Sequence, residues 1–391
     1  MKRTILSLIL PVFLLFIEGC SEERIPYEYQ VPEKVEDGWE VAAMDEVGLD
    51  SELLEEMMNE LDRYYTPLVH SILLFRGGKL VFEEYFEGYL YSMDPPGSNG
   101  DHIMYTRETD HFLASVSKSV TSVIFGAAVK AGYIGSLDQK LVELLPEYKD
   151  ILTGEKAGIT LEHLLTMSSG IEWDESSSSY GDSANHVTGM FNSEDPIEFV
   201  LSLDMVSDPG EEFLYNSGST NVLGAVVQKV TGKSLLEYGN EVLFDPLDIS
   251  GGSWERLPGG YFFASGGLYL RPRELAKIGY LFLNEGYWGS EQIITWDWIE
   301  ESVKGQISTG GKTLPMAHEY GYQWWRMNFN SGGQVYPCFF AAGWGGQYMF
   351  IFPELDMMVV FNGGKFLTSG PISFFSLVEN YMLPSLDLPI Q

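Results

Sequence analysis

The chain has 391 residues, 45% hydrophobic and 14% aromatic, with 42 glycines, which suits one large globular domain and excludes a fibrous or disordered chain. Its 56 acidic and 23 basic residues give a formal net charge of −33. A surface this acidic repels phosphate backbones, so nucleic acid is not expected as a partner.

The first twenty residues read as an export signal. A basic start (Met1–Arg3) precedes an apolar run too short to cross a bilayer comfortably, and Glu18-Gly19-Cys20 closes it. Ile17–Cys20 resembles the lipobox of bacterial lipoproteins, with Glu18 where a small residue is usual. The resemblance implies an exported protein anchored to the membrane through lipidated Cys20, in the periplasm or on the cell surface. Cys338, the other cysteine, then has no disulfide partner. His70, His102, His111, His163, His186 and His318 show no metal-ligand spacing, and neither HExxH nor CxxC occurs. No metal or organic cofactor is expected.

Residues 21–45 are polar, contain two prolines, and read as a tether ahead of a domain spanning 46–391. Asp50 is placed to cap a helix over residues 51–65. The run from Ser71 to Phe86 predicts a β-hairpin turning at Gly77-Gly78. A helix starts near Ser115 and ends around Gly132. Short helical segments follow, one in Ile159–Trp173, then a Ser-rich loop over 174–190 that reads as a lid. Two helices broken at Gly232 come next, with Ser217 or Ser219 as the first N-cap. Strand patterns return around residues 263–270, 346–352 and 357–364, and a helix over 372–383 closes the chain. The expected fold is α/β of the α+β type. An antiparallel sheet built from both ends of the chain is flanked by helices, with an all-helical lobe inserted over about 112–225 and a cleft between the lobes.

Ser115 and Lys118 are three apart, so on a helix their Cβ atoms stand roughly 5–6 Å from each other on one face. A serine hydroxyl needs a base to become a nucleophile, and a lysine whose ammonium is disfavoured by burial can serve. The helix N-terminus favours negative charge developing at the serine. Ser117 and Ser119 lie in the same turn, so spacing alone leaves the nucleophile open.

Ala114–Ser122, "ASVSKSVTS", resembles the active-site helix of serine β-lactamases of class C, penicillin-binding proteins and related esterases. "ITLEHLLTMSSGI", "FLYNSGSTNVLGAVVQKVTGKSL", "GYQWW" and "AAGWGGQYMFIFPELDMMVV" resemble further segments of that family in the same order. The resemblance implies Ser115 as nucleophile, Lys118 as its partner and Tyr215 as second general base, its phenolate favoured by the lysine. It also implies an oxyanion hole from the backbone N–H groups of Ser115 and Gln347.

Two departures narrow the expected substrate. Trp344-Gly345-Gly346 stands where β-lactamases carry Lys-Thr-Gly, and Tyr215-Asn216-Ser217 has serine where the family's Tyr-x-Asn has asparagine. Both remove anchors for anionic penicillins and peptide carboxylates. They resemble instead the family's esterases and aminohexanoate-oligomer hydrolases. The expected reaction is hydrolysis of a small, uncharged or weakly charged ester or amide, with Trp344, Gly345, Gly346, Ser217, Tyr180 and Asp182 lining the substrate site. The alternatives are a D-amino-acid peptidase or weak β-lactamase acting on cell-wall peptides, and a non-catalytic binding module. Gly181-Asp182-Ser183 does not complete a Gly-x-Ser-x-Gly elbow, which argues against a Ser-His-Asp hydrolase.

Overall fold

The computed structural model describes residues 25–64, 68–93, 96–250, 252–366 and 373–386. The expectations for the signal segment and Cys20 lie outside them. Among the described residues no helix is long and apolar enough to cross a membrane.

A nine-stranded sheet organises the chain. Its central pair joins the two ends of the sequence: Val69–Arg76 runs antiparallel to Met357–Gly363. On one side of this pair lie Lys79–Tyr85 and Glu40–Val41; on the other lie Gln347–Phe352, Gln334–Gly343, Trp325–Ser331, Glu319–Tyr320 and Ile307–Ser308. All pairings are antiparallel except that of Glu40–Val41. The hairpin turn falls at Gly77-Gly78 as expected, both with positive φ, which is what a two-residue turn matching strand twist requires.

Helices cover both faces, and period-two alternation divides the strand side chains between two cores. Leu73, Met349, Met358 and Val360 face helices Val116–Lys130 and Pro272–Leu283. Ile72, Leu74, Phe350 and Val359 face helix Ser51–Tyr64 and the C-terminal helix from Phe374 to Met382. Asp50 Oδ1 accepts from Glu52 N at 2.8 Å, so the predicted start of the first helix is present. Everything between Lys79–Tyr85 and Ile307–Ser308 is inserted into this sheet. The insertion extends past the expected limit of 225, through helix Ser217–Thr231 to helix Trp296–Val303. It carries a small three-stranded sheet made of His111–Phe112, Leu268–Leu270 and Ser253–Trp254.

The stretch read as a tether is folded onto the domain from residue 25. Trp39 is 1% exposed and its indole N–H donates to Arg273 O at 3.1 Å. Tyr27 and Tyr29 lie against the Phe82 ring, and the Tyr29 hydroxyl donates to Val81 O at 2.8 Å. Arg273 fastens the segment: its guanidinium reaches Glu83 at 2.5 Å and Asp37 at 2.8 Å, and donates to Glu33 O at 3.0 Å. The polar composition that suggested a tether belongs to the side chains facing water, while the aromatic residues among them dock.

Arg273 and Glu83 are each 5% exposed, so removing one partner strands the other's charge away from water. Arg273→Ala is expected to cost about 3–5 kcal/mol in chemical denaturation. The double change Arg273→Met with Glu83→Gln, which leaves only the more exposed Asp37 without its partner, should recover part of that loss.

Candidate active site

Ser115 precedes helix Val116–Lys130 at its N-cap, but its hydroxyl makes no capping hydrogen bond. Ala114, just before it, has φ 45°, a region that residues with a Cβ rarely adopt. Ser117 pins this strained turn. Its Oγ donates to Ala114 O at 2.7 Å and accepts from Leu268 N at 3.2 Å, while Leu113 N donates to Leu268 O at 2.9 Å. Ser119 Oγ donates to Gln323 O at 2.7 Å. Of the three serines that spacing left open, two are buried and committed to backbone carbonyls. Ser115 alone among them lines a cavity.

Lys118 is 2% exposed. Its Nζ lies 2.9 Å from Ser115 Oγ, donates to Ser265 O at 2.9 Å, and stands 4.8 Å from the centroid of the Tyr215 ring. Burial disfavours the ammonium and lowers the lysine to about 8, partly opposed by the Glu175 carboxylate. Ser265 is itself fixed from helix Ser217–Thr231: Ser265 N donates to Asn221 Oδ1 at 3.2 Å, and Asn221 Nδ2 donates to Ser265 Oγ at 3.0 Å.

Tyr215 lines the same cavity as Ser115 and is stacked on Trp325 with ring centroids 5.5 Å apart. The expectation of a favoured phenolate is corrected here. Burial first, then Tyr320 and Glu175, push the phenol well above its ordinary value. The lysine faces the ring, and the positive charge expected to stabilise a phenolate is itself weakened by burial. Tyr215 is therefore a neutral phenol at rest, and the free amine of Lys118 is the stronger candidate for the base.

Two cavities meet at Ser115. The larger, about 950 Å³, is bounded by Tyr215, Trp325, the Trp344-Gly345-Gly346 turn, Lys312 and Lys365. The smaller, about 270 Å³, is lined largely by aromatic rings, among them Tyr91, Phe112, Phe191 and Phe263. Tyr180 and Trp344 line both, their ring centroids 4.9 Å apart, and divide one from the other. Gly343 lies against the start of the helix. A Cβ added there would stand 2.5 Å from Leu113 O and 3.1 Å from Ser115 N, so only glycine leaves that amide accessible.

The remaining predicted residues divide. Ser217 lines the smaller cavity, yet the N-cap is neither Ser217 nor Ser219 but Asn216, whose side chain accepts from Ser219 N at 2.9 Å. Gln347 pairs with Gly343 across the turn, and its side chain turns into the sheet, donating to Gly363 O at 2.7 Å. Asp182 lines neither cavity; its carboxylate accepts from Ala184 N at 2.9 Å and shapes the loop. The Ser-rich loop ends sooner than expected, at helix His186–Asn192. It is knit by Asn185, whose Nδ2 donates to Glu175 O and Ser178 O.

Sequence reasoning missed Glu175. Its Oε2 accepts from Trp173 Nε1 at 2.5 Å and from Ser217 N at 3.2 Å, placing a carboxylate at the start of helix Ser217–Thr231 and on the wall of the larger cavity. Nothing local marks it out among 56 acidic residues. It also missed that His70 and His111 meet, Nδ1 to Nε2 at 2.7 Å, in the core below Phe112. Burial holds His111 down to about 4.

A serine at a helix start next to a strained alanine, a buried lysine against it and a tyrosine beside both define a serine hydrolase site on a mixed α/β scaffold. The sequence profile of the Beta-lactamase family matches residues 61–369, and the chain belongs to that family. A 6-aminohexanoate-dimer hydrolase of Paenarthrobacter ureafaciens is 26% identical over 312 residues, covering 74% of this chain and 71% of the relative. Among solved structures, an octameric penicillin-binding protein homologue from Pyrococcus abyssi superposes with a TM-score of 0.62 at 22% identity, covering 85% of this chain and 76% of that one. A family VIII carboxylesterase superposes with a TM-score of 0.65 at 14% identity, covering 91% and 100% respectively. At these identities the two structures share the fold.

If the amine of Lys118 is the base, kcat/KM on a neutral ester rises with pH through an apparent pKa near 8 and levels off above it, because deprotonation activates. Lys118→Arg, which keeps the charge but cannot release its proton, should lose about 10²–10⁴-fold at every pH.

Proposed function

We propose that the chain is an exported, lipid-anchored serine hydrolase that cleaves small esters or amides through an acyl-enzyme on Ser115. The observation that carries the proposal is the contact of Ser115 Oγ with Lys118 Nζ at 2.9 Å, beside Tyr215, where two cavities meet. The relatives support the reaction class: one is named for hydrolysis of an amide dimer and another is a carboxylesterase.

In this reading the free amine of Lys118 takes the Ser115 proton as Oγ attacks the carbonyl carbon. The backbone N–H groups of Ser115 and Gln347, on either side of Gly343, receive the oxyanion. Tyr215, a neutral phenol beside Ser115, gives its proton to the departing oxygen or nitrogen and regains one from Lys118. Water then attacks the acyl-enzyme, its proton passes back through the same pair, and Ser115 leaves protonated. The aromatic pocket of about 270 Å³ holds the acyl group and the wider cleft the leaving portion.

The test uses the domain cut after Cys20 with a fluorophosphonate probe and intact-mass detection. Wild type is expected to gain one adduct and Ser115→Ala none. Tyr215→Phe should still label but turn over a nitrophenyl ester about 10²–10⁴-fold more slowly. Absence of labelling and turnover would favour the non-catalytic binding module, and fast cephalosporin hydrolysis would favour the β-lactamase alternative.

The acyl pocket also sets a size limit. Among nitrophenyl esters, acetate and butyrate are expected to give kcat/KM values well above laurate. Phe263→Ala, which lengthens the pocket, should narrow that gap.

A further inference from the structure

The segment "GYQWW", residues 321–325, holds a glutamine in a backbone conformation that residues with a Cβ rarely adopt. Gln323 has φ 68° and is 1% exposed. Glycine takes such a backbone without strain, so here the glutamine side chain has to offset a conformational cost. Its Nε2 donates to Leu164 O at 3.2 Å and to Leu165 O at 2.8 Å, the carbonyls that end helix Leu161–Leu165. Its Oε1 accepts from Thr220 Oγ1 at 2.7 Å. A carbonyl can only accept, so the two leucine carbonyls fix which way the amide points, and the Thr220 hydroxyl must donate.

These bonds lead to both halves of the site. Gln323 O accepts from Ser119 Oγ at 2.7 Å, on helix Val116–Lys130 one residue past Lys118. Thr220 lies in the first turn of helix Ser217–Thr231, which begins two residues after Tyr215. Leu164 and Leu165 run into Met167, buried with φ 58°, and Met167 holds Tyr215 from both sides in sequence. Its carbonyl accepts from Leu214 N at 2.8 Å and its Sδ from Asn216 N at 3.3 Å. Two residues past Gln323, the Trp325 ring stacks on Tyr215. One bridge between the two helices runs from Lys118 through Ser265 to Asn221. Gln323 supplies a second that shares no residue with the first.

We infer that Gln323 is a positioning residue, which holds Tyr215 at the separation from Ser115 and Lys118 at which protons can pass among them. This rests on the hydrolase reading above. Ser115 and Lys118 share one helical turn, so their 2.9 Å contact survives a small shift between elements. Tyr215 comes from another stretch of chain, and its place depends on the bridges. A group misplaced by about 1 Å can lose about 10²-fold in rate. Loss of the Gln323 bonds should therefore spare attack by Ser115 on a phosphorus whose fluoride leaves without a proton. It should slow the steps in which Tyr215 gives or takes one.

The experiment measures kcat and KM on a nitrophenyl ester, and the rate of fluorophosphonate labelling, in the full chain. Gln323→Gly removes the side chain and keeps the backbone bonds, while Thr220→Val removes one hydroxyl at nearly constant volume. Each is made alone and together with Tyr215→Phe. Alone, Gln323→Gly is expected to lower kcat by about 10–100-fold, and Thr220→Val by less, with KM and the labelling rate little changed. In the Tyr215→Phe background both should cost almost nothing more, because the group they position is already gone. Thr220→Ser, which keeps the hydroxyl, should turn over like wild type. If Gln323→Gly does not fold, Thr220→Val and its double mutant decide alone. Equal losses with and without the Tyr215 hydroxyl would make these bonds supports of the fold only and overturn the assignment. Unchanged turnover in folded Gln323→Gly or in Thr220→Val would also overturn it, while wild-type labelling and hydrolysis kept the hydrolase. A wild type that neither labels nor hydrolyses would overturn both.

Discussion

The structure turns on the burial of one lysine. An ammonium removed from water is tolerated only where hydrogen-bond partners surround it, and Lys118 has Ser115 Oγ and Ser265 O, each at 2.9 Å, with the Tyr215 ring 4.8 Å away. Those partners come from three separate stretches of chain, so helix Val116–Lys130, the 264–265 segment and the start of helix Ser217–Thr231 must assemble together. Thr121, donating to Ala264 O at 2.8 Å, and Asn221, bonded to both the N–H and the hydroxyl of Ser265, are the struts. The same burial that makes the site difficult to build lowers the lysine into the range where it can accept a proton.

Strain and satisfaction are balanced around Ser115. Ala114 holds a backbone conformation costing of order 1–3 kcal/mol, and it persists because Ser117 bonds both the strained carbonyl and the neighbouring strand. Ser117 and Ser119 give their hydroxyls to the backbone, which leaves Ser115 as the one of the three free to face the junction of the cavities. Tyr180 and Trp344 then divide the space into a small aromatic pocket and a wider cleft. The site is therefore asymmetric before any substrate arrives.

Much of the scaffold was legible because its signals are local. Gly77-Gly78 between two apolar runs, Asp50 before a helix and Gly232 after one each obey a short-range backbone rule, and each stands where it was expected. Errors arose where tertiary contacts overrode composition. Residues 25–45 are polar on average but dock through Tyr27, Tyr29 and Trp39. Asp182 looked like a pocket residue but spends its carboxylate on its own turn. Asn216 rather than a neighbouring serine is the cap because the helix already begins at Ser217 and the Asn216 side chain reaches Ser219 N.

The sequence by itself determined the chemistry available: a serine and a lysine one turn apart, a distant tyrosine, glycines along an edge strand, and the order of segments that places the chain in its family. Tertiary structure decided how those groups are used. Tyr215 is a neutral phenol rather than a phenolate because burial and Glu175 act on it. Ser115 rather than Ser117 faces the cleft because the Ala114 carbonyl claims the latter. The physical reason is the same in each case. Residue type and spacing set which bonds a group can make, but its proton affinity and reach depend on desolvation and on neighbours that are distant in the chain.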